Sequence, residues 1–355
     1  MSGTVQELTT PDVNGKSDAS ERSESGELTM MKAAYYPRYG ELEHVQIQDR
    51  PKPAVADDQV LVRVHAAALH VGDCFGVRGS PYLMRVATGW IQPKFGVPGF
   101  DLAGRVEAVG RGVKHIRIGD EVFGAGNATC AEYASVSEST LAPKPEGLSF
   151  EEAAALPTSG LAALHALRDV AKVEAGQQVL INGASGGVGS FAVQIAKAFG
   201  AEVTGVCSGT NVEFVRGLGA DRVIDYHTED FADGSTKYDL ILDNIENRSL
   251  SDCRRALTPA GMLIVNSGTG ATGLAMFVRL LHPLVLNPFT RQQLRRYLSM
   301  PKRADLLTLK ELVEAGTLKP AIDRKYPLDQ TVAALQHVDS GHARGKVVVS
   351  INPGA

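Results

Sequence analysis

Cysteine is scarce and scattered. Cys74, Cys130, Cys207 and Cys253 are the only four, and no two are close enough for zinc-knuckle or redox-dithiol spacing, which fits a reduced, cytosolic setting. Long apolar runs are lacking too. The most hydrophobic late stretch, 273–289, is broken by Arg279, His282 and two prolines and falls short of the roughly 20 residues that span a bilayer. No membrane span is expected. Neither sign of charge prevails, with 36 Lys and Arg against 40 Asp and Glu. No basic stripe interleaved with aromatics appears, so nucleic acid is not an expected partner.

The first 30 residues are poor in apolar side chains. Glu7, Asp12, Asp18, Glu21, Glu24 and Glu27 outnumber Lys16 and Arg22, so this segment carries the whole net charge of −4. Rich in Ser, Thr and Glu, it cannot bury enough surface to offset its ordering entropy, and it lacks the positive start and apolar core of a secretory signal. Residues 1–30 read as a disordered extension, with Met30 or Met31 as an alternative start.

What the chain has in excess is glycine: 37 of 355 residues, roughly 10% against an average near 7%, a sign of tight turns and close backbone approaches. With 44% apolar and 21% charged residues, the length suits two hydrophobic cores. From Met31 the pattern is strand-like. Met31–Tyr35 and Gln59–Ala66 alternate, and glycines at 99, 104, 110, 112, 119, 124 and 126 punctuate short apolar triplets. Short strands joined by tight turns predict a small β-barrel. Ser149-Phe150-Glu151-Glu152 has the form of a helix start, and a helix is predicted over Ala153–Leu167.

Beyond it the period changes. Gln178–Asn182 is a continuous apolar strand, followed by glycines, a helix over Val188–Phe199 and a strand over Ala201–Val206. Strand, helix and strand within about 30 residues form a βαβ unit, and further alternations to Asn266 predict an α/β, doubly wound parallel sheet. The chain closes with helix Ala304–Ala315, a short strand near Ala321–Tyr326, helix Thr331–Val338 and strand Lys346–Ile351.

The chemistry-bearing motif is Gly183-Ala184-Ser185-Gly186-Gly187-Val188-Gly189, set between the buried strand and the helix. Small residues there let backbone amides and the helix dipole hold a pyrophosphate. The absence of a following Lys-Ser/Thr argues against an ATP-type loop. At the end of the next strand, where a NAD-selective site places an acid on the ribose, stands Cys207-Ser208-Gly209-Thr210-Asn211. Hydroxyls at Ser208 and Thr210, the Asn211 amide and nearby Arg216 favour NADPH. Tyr226, ending the following strand, is either a further phenolic donor to the same phosphate or a packing aromatic.

On these residues the chain resembles the medium-chain dehydrogenase/reductase superfamily, in its zinc-free quinone and enone reductase branch. The likeness is carried by Pro98-Gly99-Phe100-Asp101-Leu102-Ala103-Gly104, Gly119 to Gly124, the Asn182–Gly189 loop, Leu218-Gly219-Ala220-Asp221 to Tyr226, and Gly345-Lys346-Val347-Val348. The resemblance implies a GroES-like β-barrel catalytic domain over residues 31–152. A Rossmann domain follows over 153–303, the barrel is resumed over 304–355, and the active site lies in the cleft. Zinc-dependent members carry a Cys ahead of an Asp, and a Gly-His-Glu; the corresponding positions here look like His70, before Asp73, and Gly99-Phe100-Asp101. Phenylalanine cannot ligate a metal, so no metal site is expected.

Without a Lewis acid, conjugate reduction is the better expectation: hydride to the β-carbon of an enone, or to a quinone. An alcohol dehydrogenase or carbonyl reductase without metal, or an NADPH-binding protein without turnover, are the alternatives. His70 stands where zinc-free relatives commonly have Asn. It is either a donor or proton source for the substrate or a cleft histidine held by Asp73, which itself could orient the loop. Tyr82 either lies over the substrate or packs. Thr158 is expected on the nicotinamide side, although relatives carry Thr where Ala162 stands. Asn244, Ser267 and Gly268 follow strand ends, where the resemblance brings loops to the ribose and carboxamide. Lys346 looks like a lysine that reaches the cofactor in relatives; as a lone residue it is a surface charge. The apolar segment 274–301, with Arg291, Arg295 and Arg296 at its end, caps a substrate pocket, forms a dimer seam, meets a membrane surface or simply packs. The resemblance implies a small hydrophobic carbonyl or quinone substrate and a homodimer.

Overall fold

Strand patterning builds the first sheet in the computed structural model, which describes residues 29–80, 82, 85, 89–266 and 290–352. β1 (Met30–Tyr35) and β2 (Gln46–Pro51) form an antiparallel pair of their own. In β3 (Gln59–Leu69) Val60, Val62 and Val64 are wholly buried while Arg63 faces out. β3 then runs into α1 (Val71–Arg78). β4 (Asp101–Val109), β5 (Glu121–Ala125), β6 (Tyr133–Ser137) and β7 (Leu141–Pro143) complete the first pass of the barrel.

The helix expected over Ala153–Leu167 is two helices and a wide turn. α2 (Phe150–Ala154) opens on Ser149, whose Oγ accepts the Glu152 amide while Glu152 Oε2 accepts the Ser149 amide. α3 (Pro157–Leu164) starts anew at Pro157, because proline has no N–H to continue a ladder and fits a first turn. It passes into a π-helical stretch, His165–Ala171.

The second sheet is wholly parallel. β8 (Gln178–Asn182) leads through the glycine loop to α4 (Gly187–Ala198), then β9 (Glu202–Cys207), α5 (Val212–Gly217), β10 (Arg222–Asp225), β11 (Tyr238–Asp243), α6 (Leu250–Ala256) and β12 (Leu257–Val265). The order is β10-β9-β8-β11-β12, with β13 (Gln293–Arg295) on the edge. Both faces of β8 are covered, which is why its sequence reads as an unbroken apolar run. Phe191 of α4 is fully buried against this sheet, worth roughly 2–3 kcal/mol relative to exposure. Of the apolar segment 274–301, residues 274–289 lie outside the described residues; in the rest, Leu294 of β13 is buried in the sheet and Arg296 pairs with Glu246 at 2.9 Å.

After α7 (Arg303–Glu314), β14 (Ile322–Pro327), α8 (Thr331–Asp339) and β15 (Lys346–Ser350) return to the barrel. β15 pairs antiparallel with β3, giving the order β14-β15-β3-β4-β5-β7, with β6 also on β3. Both chain ends therefore build one lobe, and the parallel sheet is the other. No helix among the described residues is long and apolar enough to cross a membrane. All four cysteines are free and buried. Burial pushes the Cys74 and Cys253 thiols up to about 12 and Cys207 to about 11, so none is poised as a nucleophile.

Candidate active site in the cleft between the lobes

An open cleft of about 900 Å³ separates the lobes. Its floor is the glycine loop. Gly183 sits at φ +75°, the left-handed turn out of β8. A Cβ on Gly189 would stand 2.1 Å from the Gly183 carbonyl oxygen, so only glycine lets α4 start against the turn. Gly186, Gly187, Val188 and Gly189 all line the cleft. The amides at the start of α4 have no intrahelical acceptor and face an anion-binding position. Around Gly187 a Cβ would meet Ser159 Oγ at 3.3 Å and Lys346 Cδ at 3.4 Å, so both lobes close on that glycine.

Beside the loop, adjacent strands end in asparagine. Asn182 Nδ2 donates to Asp243 Oδ1 at 2.8 Å, Asn244 Nδ2 donates to the Asn182 backbone carbonyl at 3.0 Å, and Asn266 Nδ2 to Asn244 Oδ1 at 2.8 Å. This ladder fixes Asn244 and Asn266 at the carboxyl ends of β11 and β12, where both line the cleft. Ser267 and Gly268 lie outside the described residues.

The barrel side contributes His70. It is the N-cap of α1: Nδ1 accepts the Gly72 amide at 2.9 Å, and the His70 amide donates to Asp73 Oδ2 at 2.8 Å. The His70–Asp73 spacing is thus that of a capping box. With Nδ1 an acceptor, the neutral ring carries its proton on Nε2. The ring stacks on Phe100 (centroids 5.4 Å apart, 14° between planes) and lines the cleft. Asp73 is buried, its Oδ1 accepting the Gly99 amide at 2.9 Å. Burial pushes its carboxyl above the ordinary value, against the lowering pull of His70.

Beneath His70 and Gly187 lies a buried polar cluster whose Ser159 and Lys346 reach the cleft wall. Lys346 and Asp101 are at most 1% exposed, and Lys346 Nζ stands 3.3 Å from Asp101 Oδ2 and 3.1 Å from Ser159 Oγ. Asp101 Oδ1 accepts the Thr158 amide at 3.0 Å and its hydroxyl at 2.5 Å. The cluster joins β4, α3 and β15. Lys346 is therefore no surface charge, and Thr158 is turned toward Asp101.

The remaining candidates gather at the ends of β9 and β10. Asn211 Nδ2 donates to Ser185 Oγ at 3.2 Å, and the Ser208 and Thr210 hydroxyls are 3.1 Å apart. Tyr226 is half-exposed against the His227 ring. Register sets Asp225 beside Cys207, and a Cβ on Gly209 would stand 2.6 Å from Asp225 Oδ2. The turn read as free of acid thus receives a carboxylate from the neighbouring strand. Tyr82 does not line the cleft; it is largely exposed, with the Arg85 guanidinium 4.6 Å from its ring centre. Ser159, Ile245 and Asn266, which do line it, were missed because none belongs to a spacing motif.

Comparison with known proteins fits this geometry. An alcohol dehydrogenase GroES-like domain description matches residues 56–166, and a zinc-binding dehydrogenase description matches 218–349. A chloroplast envelope quinone oxidoreductase homolog of Arabidopsis thaliana is 34% identical, over 90% of this chain and 98% of its own length. The chain belongs to the medium-chain dehydrogenase/reductase superfamily, in its quinone oxidoreductase-like branch. The NADPH-dependent alkenal/one oxidoreductase of Arabidopsis thaliana chloroplasts is 33% identical, covering 90% of this chain and 79% of that one. The solved quinone oxidoreductase of Coxiella burnetii superposes with a TM-score of 0.80 at 32% identity, covering 91% of this chain and 99% of that one. This superfamily member is an oxidoreductase with a fold that binds nicotinamide dinucleotides.

The zinc-binding description raises the question of a metal, and the donor set does not fit one. His70 Nδ1 is committed to Gly72, Phe100 offers no lone pair, and Asp101 is held by an ammonium that a cation would have to displace. Among the described residues no group of three His, Cys, Asp or Glu converges. The glycine loop fits a dinucleotide, since side-chain atoms there would fill the space before the α4 amides.

Proposed function

We propose that the cleft binds NADPH and that the protein reduces an activated C=C bond, in an enone or a quinone, without a metal. The observation that carries this reading is the donor set at the cleft: Phe100 has no lone pair, His70 Nδ1 is taken by the Gly72 amide, and the Asp101 carboxylate is held by the Lys346 ammonium. In this proposal the α4 amides at Gly187 to Gly189 hold the diphosphate, and Asn244 and Asn266 line the ribose and carboxamide side. The bound reduced nicotinamide supplies hydride to the β-carbon of the substrate.

His70 then acts on the carbonyl end. Its Nε2–H, directed by the N-cap bond at Nδ1, donates to the oxygen on which enolate charge develops. A donor of this kind is worth a few kcal/mol when it strengthens in the transition state. Solvent supplies the α-carbon proton. The relative named as an NADPH-dependent alkenal/one oxidoreductase supports both the cofactor and the substrate class.

The test is a matched pair of substrates, an enone and its saturated ketone, offered with NADPH to protein from which metals have been stripped. Consumption of the enone alone is expected. Reduction of the saturated ketone alone would overturn the reading in favour of a carbonyl reductase, and no oxidation of NADPH across a broad carbonyl panel would leave a binding protein.

A further inference from the structure

Arg344 has no part in the site as described so far. It lies two residues before Lys346, in the loop between α8 and β15, and the next amide, Gly345 N–H, donates to the Ser185 carbonyl at 2.8 Å. That bond fastens a barrel loop onto the glycine loop. From this anchor the guanidinium reaches the parallel-sheet lobe, its Cζ 5.4 Å from the ring centre of Phe214. Phe214 stands in the first turn of α5, and the N-cap of that helix, Asn211, holds Ser185 Oγ. Arg344 therefore overhangs the corner made by Ser185, Asn211 and the end of β9, where a Rossmann fold receives the adenosine ribose.

The charges at this corner make the position informative. Asp225 presents a carboxylate to Gly209, which by itself repels a phosphate. Arg216 is engaged by Glu213, and His227 packs on Tyr226. Arg344 is exposed and forms no ion pair among the described residues. A planar guanidinium offers paired N–H donors that match phosphate oxygens and stacks on an aromatic ring at the same time.

We infer that Arg344 is the specificity-determining residue for the 2′-phosphate of NADPH, supplied by the barrel lobe across the cleft. The inference rests on the NADPH reading. It adds that the phosphate, which NADH lacks, ties the barrel loop to the nucleotide held by the other lobe.

Calorimetric titration of the full chain and of Arg344→Gln and Arg344→Lys, with NADPH, NADH, 2′,5′-ADP and 5′-AMP, tests it. The Gln variant should lose roughly 10- to 100-fold in affinity for NADPH and 2′,5′-ADP, the usual range for a charge-assisted hydrogen bond. NADH and 5′-AMP should bind it as they bind the unaltered chain, and Lys should restore part of the loss. An equal loss for NADPH and NADH would move Arg344 to the shared diphosphate and overturn the inference, as would no change for either. If the unaltered chain binds NADH as tightly as NADPH, the NADPH reading itself fails, before any variant is compared.

Discussion

Replacing Lys346 with methionine isolates the buried ion pair. Asp101 Oδ1 would keep two donors from Thr158, but Oδ2, whose partner is the Lys346 ammonium, would be left charged in a wholly buried site. Removing one member of such a pair costs about 3–5 kcal/mol, chiefly the penalty of the stranded charge. Neutralising Asp101 as well, in Asp101→Asn with Lys346→Met, removes that penalty, and the double variant should recover most of the loss. Equilibrium urea unfolding of the four members of the cycle reads the coupling directly. A Lys346→Met variant within 1 kcal/mol of the parent, a threshold well below the about 3 kcal/mol floor for this kind of loss, would refute the reasoning. So would a double variant no more stable than the single one.

Three other outcomes follow from the site and the fold that carries it. Gly187→Val, which puts branched carbons against Ser159 and Lys346 and before the α4 amides, should abolish calorimetric binding of both pyridine nucleotides while the far-ultraviolet circular dichroism is kept. His70→Asp retains an acceptor for the Gly72 amide but has no N–H to donate; it should fold with near-parental stability and lose roughly 10²-fold in kcat. His70→Asn, which keeps both, should lose less, and equal activity in all three proteins would remove His70 from the chemistry. Ser149→Ala breaks a reciprocal cap and should cost about 1 kcal/mol in urea unfolding.

The parallel lobe was the more legible half. Covered strands such as β8 are unbroken apolar runs, and the Gly183–Gly189 turn can only be glycine where α4 meets its carbonyl. The helix α1 was hidden because Gly72, Gly76 and β-branched Val71 and Val77 give it neither propensity nor a clean apolar stripe. The sequence therefore leaves His70 and Asp73 open between chemistry and a structural bond, and without a visible helix their spacing of three does not show as the helix cap it is. Lys346 looked like a surface charge because sequence does not show that the strand it opens is buried from its first residue. Asp225 beside Gly209 and Arg344 beside Phe214 are contacts of register and of lobe packing, and no local pattern encodes them.

The central claim is that hydride reaches a β-carbon in a site where an ammonium, and not a metal, sits on Asp101. Single-turnover reaction of metal-stripped protein with NADPH deuterated at the transferred position of C4, followed by NMR of the product, tests it most directly. The account predicts a saturated ketone with deuterium at its β-carbon and a yield unaffected by chelator. Deuterium on a carbinol carbon, or transfer only after zinc is restored, would contradict it.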